Sequence, residues 1–292
     1  MKKLLLLPLL LLSFGCSHNY FNVPQETIAE KVQVLGVAPI MVDADSTIRF
    51  PQKDELLTLL GSLNRASEPS LVRKLKATGS FFTVAPLDNN PQQLFSTLLY
   101  RRELRNDAAI VYNKHFWKAQ ELGEFLKKNK LDALMLVVVS GVERKARISS
   151  PTLMDSVEAD YNSLIMTAQI VAPDGSVLWE YPNFKRQLLS YYPLITLQYP
   201  DFSEAEANLS DKPQIKFKSL EGIQRALQQK RKDLLFRETQ ETEAYDRQFD
   251  EMTDLLAIDR EKFTKPAAAP APAAQPAKEE VKPAEAPAAT EK

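Results

Sequence analysis

The sequence predicts an α/β (α+β) protein in which a mixed sheet is flanked by helices and followed by long C-terminal helices and an Ala/Pro-rich tail. Residues 32–40 and 132–139 form nearly continuous apolar runs, which are typical of strands covered on both faces. Residues 173–176, Pro-Asp-Gly-Ser, separate two alternating segments and predict a hairpin. Amphipathic stretches between the apolar runs predict the helices that cover the sheet.

Strand and helix patterns alternate in the first half of the chain. The run at 32–40 predicts an internal strand, and residues 80–85 predict another. Helical spacing of apolar residues predicts four helices, at residues 53–65, 69–78, 91–105 and 116–129. The β-branched run at 132–139 follows the last helix directly, and we expect it at the sheet centre.

The second half begins with strands and ends with helices. Residues 164–172 and 177–181 alternate around the predicted turn, whereas the Tyr- and Pro-rich residues 188–202 indicate an ordered loop or short irregular strands. Apolar residues at helical spacing predict a helix over 219–235 and another from about residue 245 to about 263. The polar stretch between these helices is either a solvated link or the middle of one long projecting helix.

Residues 265–292 differ in composition from the rest of the chain. They consist mainly of Ala and Pro, with Lys and Glu in equal number. Such a segment has too few large apolar side chains to bury a core, so we expect a disordered or extended tail that acts as a spacer or docking segment.

Charge and cysteine content exclude two properties. The chain has 37 Lys and Arg against 38 Asp and Glu, so binding of nucleic acid without sequence preference has no electrostatic support. Cys16 is the only cysteine, which excludes a disulfide within the chain.

The N-terminus has the three regions of a secretory signal peptide. Two lysines precede an apolar run at residues 4–12, and small residues follow it. The run is shorter than the roughly 20 residues that span a bilayer, so an uncleaved membrane anchor is the weaker interpretation. We expect residues 1–15 to be removed.

Gly15-Cys16 resembles the lipobox of bacterial lipoproteins, although Ser13 and Phe14 depart from its usual pattern. The resemblance implies that Cys16 becomes the N-terminal residue and carries acyl chains, which would anchor the protein permanently. Ser17 at the second position, by resemblance to enterobacterial sorting, implies the outer membrane. Residues 16–30 are then a lipidated tether. The alternative, a buried free thiol, is disfavoured because Cys16 precedes any core.

Residues that carry chemistry are sparse. The glycines are too far apart for a phosphate-binding loop, and the chain has two histidines, His18 and His115. We expect His115 to be a surface or partly packed residue rather than a catalytic one. No cofactor and no metal site are predicted, because no serine hydrolase or zinc protease motif is present.

Two groups of charged residues allow alternative interpretations. Asp43 and Asp45 follow the first predicted strand, and together with Glu180 they are the carboxylates that a hydrolase acting on cell-wall or glycan substrates would need. A solvated loop explains them more simply. A basic cluster beyond the central strand (Arg144, Lys145 and Arg147) could face anionic lipid headgroups or an acidic partner, or could be an exposed strand end.

A repeated aromatic pattern suggests an interaction surface. Residues 180–184, Glu-Tyr-Pro-Asn-Phe, are echoed at 198–202 by Gln-Tyr-Pro-Asp-Phe, with two more tyrosines between them. Exposed aromatic side chains supply large contact areas. The predicted surface consists of Tyr181, Phe184, Tyr191, Tyr192, Tyr199 and Phe202. The alternative is that these turns pack onto the sheet.

The order of these signals resembles the periplasmic α/β domain of curli-secretion lipoproteins (CsgG), TolB-type N-terminal domains and related outer-membrane lipoproteins. The residues that carry it are Val37-Ala38-Pro39-Ile40, residues 79–84, Leu131-Asp132-Ala133-Leu134 and residues 172–179. The resemblance implies a non-catalytic module for envelope assembly, scaffolding or secretion, often oligomeric. A pore is not expected, because residues 143–160 and 188–202 lack the alternation of membrane strands.

The sequence therefore predicts a non-enzymatic outer-membrane lipoprotein that faces the periplasm. An α/β domain at residues 31–218 would bind periplasmic protein partners, and Cys16 would bind membrane lipid. A second hypothesis makes the amphipathic helices of residues 219–264 an oligomerisation arm that builds a homo-oligomer. The carboxylate-dependent hydrolase is the third.

Overall fold

The computed structural model describes residues 21–107, 110–182, 191–209, 215–233 and 236–258. The predicted signal peptide, Cys16, Phe184, the tail and the residues after 258 lie outside this part of the chain. Within it the helices are α1 (Gln25–Lys31), α2 (Lys53–Ala77), α3 (Pro91–Leu98), α4 (Ala119–Asn129), α5 (Glu204–Ala207), α6 (Leu220–Gln228) and α7 (Glu243–Leu256). The strands are β1 (Val34–Val37), β2 (Met41–Asp43), β3 (Thr83–Pro86), β4 (Leu99–Asp107), β5 (Ile110–Trp117), β6 (Ala133–Ser149), β7 (Ser156–Val171), β8 (Val177–Tyr181), β9 (Ile195–Thr196), β10 (Lys230–Lys232) and β11 (Glu238–Thr242).

The main sheet is mixed, as the sequence predicted. Its order is β3-β1-β6-β7-β8, with β2 continuing beside β6 and β9 pairing with β7. Strands β1, β2, β3 and β6 are parallel, and β7, β8 and β9 run antiparallel to their neighbours. The central position of β6 was correctly predicted, since its first ten residues are all buried.

The two faces of the sheet bury separate apolar clusters. The larger cluster lies beneath α1, α2, α6 and α7, and its strand residues include Met135, Val137 and Val139. The second cluster lies beneath α3 and α4 and uses the alternate residues Leu134, Leu136 and Val138. Because successive strand residues point to opposite faces, the apolar run of β6 serves both cores.

A pair of strands replaces predicted helix between residues 99 and 117. The predicted helix at 91–105 ends at Leu98, and the one predicted at 116–129 begins at Ala119. Between them β4 and β5 form an antiparallel hairpin, with Arg102 opposite His115. The prediction was wrong because a helix pattern was extended through residues whose pairing partners lie across a turn.

Other boundaries also moved. The two helices predicted at 53–65 and 69–78 are one helix, since α2 runs from Lys53 to Ala77 and continues through Pro69 with buried leucines on both sides of it. The helix predicted at 219–235 ends at Gln228, and the polar stretch after it contributes β11 of a second small hairpin. The alternative of one long helix was therefore wrong, and the stretch that links α6 and α7 is an exposed to half-buried hairpin.

The predicted tether was wrong for residues 21–30. Phe21 forms a bridge with Trp179 of β8, and the amide of Asn22 donates to the carbonyl of Leu178 over 2.9 Å. Helix α1 follows and buries Ile28 and Ala29 in the larger cluster. These residues are part of the folded body because the apolar side chains among them are covered by the sheet and α2.

Candidate functional site: a buried Asp, Arg and His cluster

The structure brings three charge-bearing side chains together at the end of β2. Asp43 is the last residue of β2 and is only 1% exposed. Arg102 and His115 face each other across the β4-β5 hairpin, so both side chains lie on the same face of it. Arg102 Nη1 lies 2.6 Å from Asp43 Oδ1, and His115 Nε2 lies 3.0 Å from Asp43 Oδ2.

The electrostatics of this cluster favour an ionised Asp43. Burial raises the pKa of the Asp43 carboxyl, but hydrogen bonds with His115 and Arg102 outweigh burial and hold the pKa below its usual value of 3.8. Arg102 also donates from Nη2 to the carbonyl of Asp45 over 2.9 Å. One guanidinium therefore ties β4 to the segment that follows β2.

Aromatic rings enclose the histidine. The His115 ring is 3% exposed, with its centroid 5.7 Å from that of Phe95 and 6.0 Å from that of Trp117. The sequence-based expectation of a surface or partly packed His115 was wrong. The missed signal is the two-residue period of Asn113, His115 and Trp117, which places all three on one face of β5.

These neighbours extend the polar contact between the hairpin and the sheet. Asn113 Nδ2 donates to the carbonyl of Gly141 over 3.0 Å, and Trp117 Nε1 donates to Gln169 Oε1 over 2.6 Å. The hydroxyl of Ser140, the residue that pairs with Asp43, is fully buried and has no hydrogen-bond partner among the described residues. Since Asp43, His115 and Ser140 are all buried, the cluster offers no open position to a substrate and acts as a clasp for the hairpin.

The carboxylates of the hydrolase hypothesis have separate partners. Asp43 belongs to the clasp, whereas Asp45 is exposed. Glu180 pairs with Lys114, whose Nζ lies 2.8 Å from Glu180 Oε2. Within the described ranges no group of three His, Cys, Asp or Glu side chains could hold a metal ion.

The predicted aromatic surface is only partly exposed. Tyr192 and Tyr199 are 49% and 44% exposed, and the guanidinium of Arg247 lies over the Tyr192 ring. Tyr181 and Phe202 are buried, so their assignment to a surface was wrong. Tyr191 is covered as well, and its hydroxyl donates to the carbonyl of Met166 over 2.8 Å.

Burial also makes two of these tyrosines less acidic. It raises the pKa of Tyr181, whose hydroxyl donates to Glu251 of α7, and it raises the pKa of Tyr191. For Tyr181 and Tyr191 the alternative interpretation, that the turns pack onto the sheet, is correct, because Tyr181 belongs to the larger apolar cluster and Tyr191 packs against it.

The basic cluster on β6 faces acidic residues across the β6-β7 hairpin. Arg144, Lys145 and Arg147 are exposed. Lys145 is opposite Asp160, and Arg147 is opposite Glu158. Opposite charges at facing positions stabilise an antiparallel pair, so the exposed strand end accounts for these cations without a lipid or an acidic partner.

A groove of about 540 Å³ lies between α2, the β10-β11 hairpin and α7. Beside it Asp246, 1% exposed, accepts ion pairs from Lys74 and Arg231. Burial raises the pKa of Asp246, but hydrogen bonds from the two cations lower it below its usual value. The cations and carboxylates of this network form ion pairs with one another, which favours a structural role in holding α7 on α2.

Comparisons with known proteins assign no family. No family model and no curated protein matches the chain. A neuraminyllactose-binding hemagglutinin homolog from Helicobacter pylori is 8% identical, with a TM-score of 0.32, over 85% of this chain and 95% of that one. A PelC dodecamer from Paraburkholderia phytofirmans is 8% identical, with a TM-score of 0.22, over 51% of this chain and 68% of that one. Similarities this low do not establish a common fold. In the part of the chain that the structure describes, no helix is long and apolar enough to cross a membrane.

Proposed function

We propose that this chain is a non-enzymatic lipoprotein of the cell envelope, anchored in the outer membrane through acylated Cys16. Its α/β body would face the periplasm and bind protein partners as an assembly, scaffold or secretion-accessory module. One observation carries the anchor: a positive start, a short apolar run and Gly15-Cys16 follow one another in the order of a lipoprotein signal.

A binding role is favoured over catalysis by the state of the acid-base groups. The described cluster that combines a carboxylate with an imidazole is buried beneath the β4-β5 hairpin, where Asp43 binds both His115 and Arg102. A general acid or base must reach a substrate atom. Because Asp43 and His115 are buried and paired in the clasp, they support the proposal that the protein binds partners through its surface and does not act as an enzyme.

The folded N-terminal segment changes how such an anchor would act. Five residue steps separate Cys16 from Phe21, the first residue of the described body. At about 3.4 Å per step they reach at most about 17 Å. An acylated Cys16 would therefore hold the body close to the lipid surface, whereas the sequence alone suggested a longer tether.

Metabolic labelling with a palmitate analogue tests the anchor. Wild-type protein should incorporate the label and float with membranes, and both Cys16→Ala and Cys16→Ser should lose both properties. Ser17→Ala is the matched control, because it changes the neighbouring residue and keeps the thiol. Label that persists in both cysteine variants, or wild-type protein released by osmotic shock with a free thiol, would contradict the proposal.

A further inference from the structure

Strand β4 is an open sheet edge. It pairs with β5 on one side, and no other described strand pairs with it. β5 buries Tyr112, Asn113 and His115, whereas β4 is mostly exposed, with Tyr100 and Leu104 69% and 59% exposed. Alternate residues of a paired strand direct their amide and carbonyl groups to its free side. β4 therefore offers a row of unpaired backbone groups to another strand.

Three other sheet edges are protected against such pairing. β3, at one edge of the main sheet, has four residues and ends in Pro86. β8, at the other edge, is met by Phe21 and Asn22. β10 consists of Lys-Arg-Lys, and charges of one sign on an edge oppose pairing. β4 lacks these protections, because it has nine residues without proline and carries charges of both signs.

The charges of β4 are complementary to those of a second copy of the same strand. If two copies pair antiparallel and Leu104 faces its own copy, Glu103 of each strand faces Arg105 of the other. Positions 101 and 107, which are Arg and Asp in the sequence, also face each other. The exposed Leu104 side chain gains an apolar neighbour. Opposite charges and apolar pairs at facing positions stabilise antiparallel strands.

The adjacent symmetric registers lack this complementarity. A pair centred on Glu103 sets Glu103 against its own copy and Arg101 against Arg105, so the facing charges are alike. A pair centred on Arg105 sets two arginines against each other. A pair centred on Arg102 does the same with the residue that is bound to Asp43. The register centred on Leu104 is therefore the favourable one.

Glu103 and Arg105 are accessible to a second copy. Their side chains are 36% and 39% exposed, and they form an ion pair with each other over 3.0 Å. The Nε atom of Arg105 has no hydrogen-bond partner among the described residues. A carboxylate from a second copy would supply an acceptor on this side of the strand.

We propose that two copies of this chain associate through β4, antiparallel and centred on Leu104, so that their β4-β5 hairpins form one continuous sheet. This interface goes beyond the proposed function and does not depend on the lipid anchor. It also differs from an oligomerisation arm of C-terminal helices, because α7 takes no part in it.

Disulfide trapping tests the interface in the purified full chain, kept in detergent. In the Leu104→Cys protein the Cα atoms of the two copies of residue 104 would be about 4.5–5.5 Å apart, a distance that a disulfide can bridge. Asn106→Cys is the matched control. It is exposed on the same face of β4, but its two copies would be four residue steps, or about 14 Å, apart.

After oxidation with copper phenanthroline, we expect a linked dimer of Leu104→Cys on a non-reducing gel. The Asn106→Cys protein should link no more than the wild-type chain, whose only thiol is that of Cys16. Equal linkage of both variants, or linkage of neither, would overturn the proposal.

A charge exchange tests the register. Glu103→Arg and Arg105→Glu are each made in the Leu104→Cys protein, and circular dichroism establishes that each is folded. Either variant alone sets like charges against each other, so its linked dimer should fall about tenfold. An equal mixture restores opposite charges between the two chains, and a heterodimer should form as readily as the Leu104→Cys dimer. A mixture that links no better than the separate variants would refute this register.

Discussion

The clasp at Asp43 makes a prediction about how the β4-β5 hairpin is held. Asp43→Asn keeps the size of the side chain and removes its charge. The variant leaves Arg102 and His115 without the carboxylate that they share. Because the hairpin meets the sheet through this carboxylate, Asn113 and Trp117, loss of one contact should loosen the hairpin before the sheet opens.

The expected magnitude follows from burial. Removing one partner of a buried ion pair costs about 3–5 kcal/mol, because the other charge is left without compensation. The Arg102 side chain is 30% exposed and can regain water. We therefore expect a loss at the lower limit, about 3 kcal/mol in the free energy of unfolding.

Urea unfolding and hydrogen exchange measure this effect. Asp45→Asn is the matched control, since Asp45 is exposed and engages Arg102 only through its carbonyl. The control should stay within about 0.5 kcal/mol of wild type. Exchange should rise in β5 and stay low in β6. An Asp43→Asn protein as stable as the control, with a protected β5, would refute the clasp.

Three other predictions follow from the same structure. The pKa of the Asp43 carboxyl is lower in the folded protein than its usual value of 3.8, so the stabilisation that ionised Asp43 provides is present above pH 3.8 and is lost as the pH falls through the folded-state pKa. The difference in free energy of unfolding between wild type and Asp43→Asn, measured by urea unfolding, should therefore shrink below pH 3.8. Lys130→Gly should raise the melting temperature, with a gain of about 1 kcal/mol, because glycine adopts a positive φ without strain; a lower melting temperature would contradict this. Gly141→Ala should destabilise the protein by about 2–3 kcal/mol in urea unfolding, because the new Cβ would lie 2.4 Å from the carbonyl oxygen of Thr47. Gly61→Ala is the control and should stabilise α2 in the same assay, because its new Cβ meets nothing within 4 Å.

The central sheet could be predicted because its signal is local. The apolar run of β6 and the Asp-Gly turn before β8 each specify a strand through adjacent residues. The β4-β5 hairpin could not be predicted in this way. Its residues 99–105 continue from α3 with helix-compatible side chains, and the strand forms because it pairs with residues 110–117. Pairing of this kind is tertiary information, which overrides local propensity.

The clasp escaped prediction for the same reason. In the sequence Asp43 stands out only as a possible carboxylate pair with Asp45. His115 is 72 positions away, so nothing in the sequence pattern links the two residues. Only the parallel pairing of β2 with β6 and the docking of the hairpin bring the carboxylate, guanidinium and imidazole together. Acid-base residues that are few and distant in sequence can still come together in the fold. A group of this kind in an open cleft favours a catalytic role, and one in a buried core favours a structural role.

Burial of the C-terminal helix bears on the oligomerisation hypothesis. The apolar stripe that suggested an arm, comprising Tyr245, Phe249, Met252 and Leu256, is covered by the chain's own larger core. The Tyr245 hydroxyl donates to Asn64 Oδ1 over 2.7 Å, which fixes α7 against α2. A stripe that already covers one core cannot cover a second copy unless α7 first detaches and exposes that core to water. Under the proposed function, contacts with partners therefore depend on surfaces that the fold leaves open. The turn between β6 and β7 belongs to such a surface, since Leu153 and Met154 are 79% and 85% exposed there.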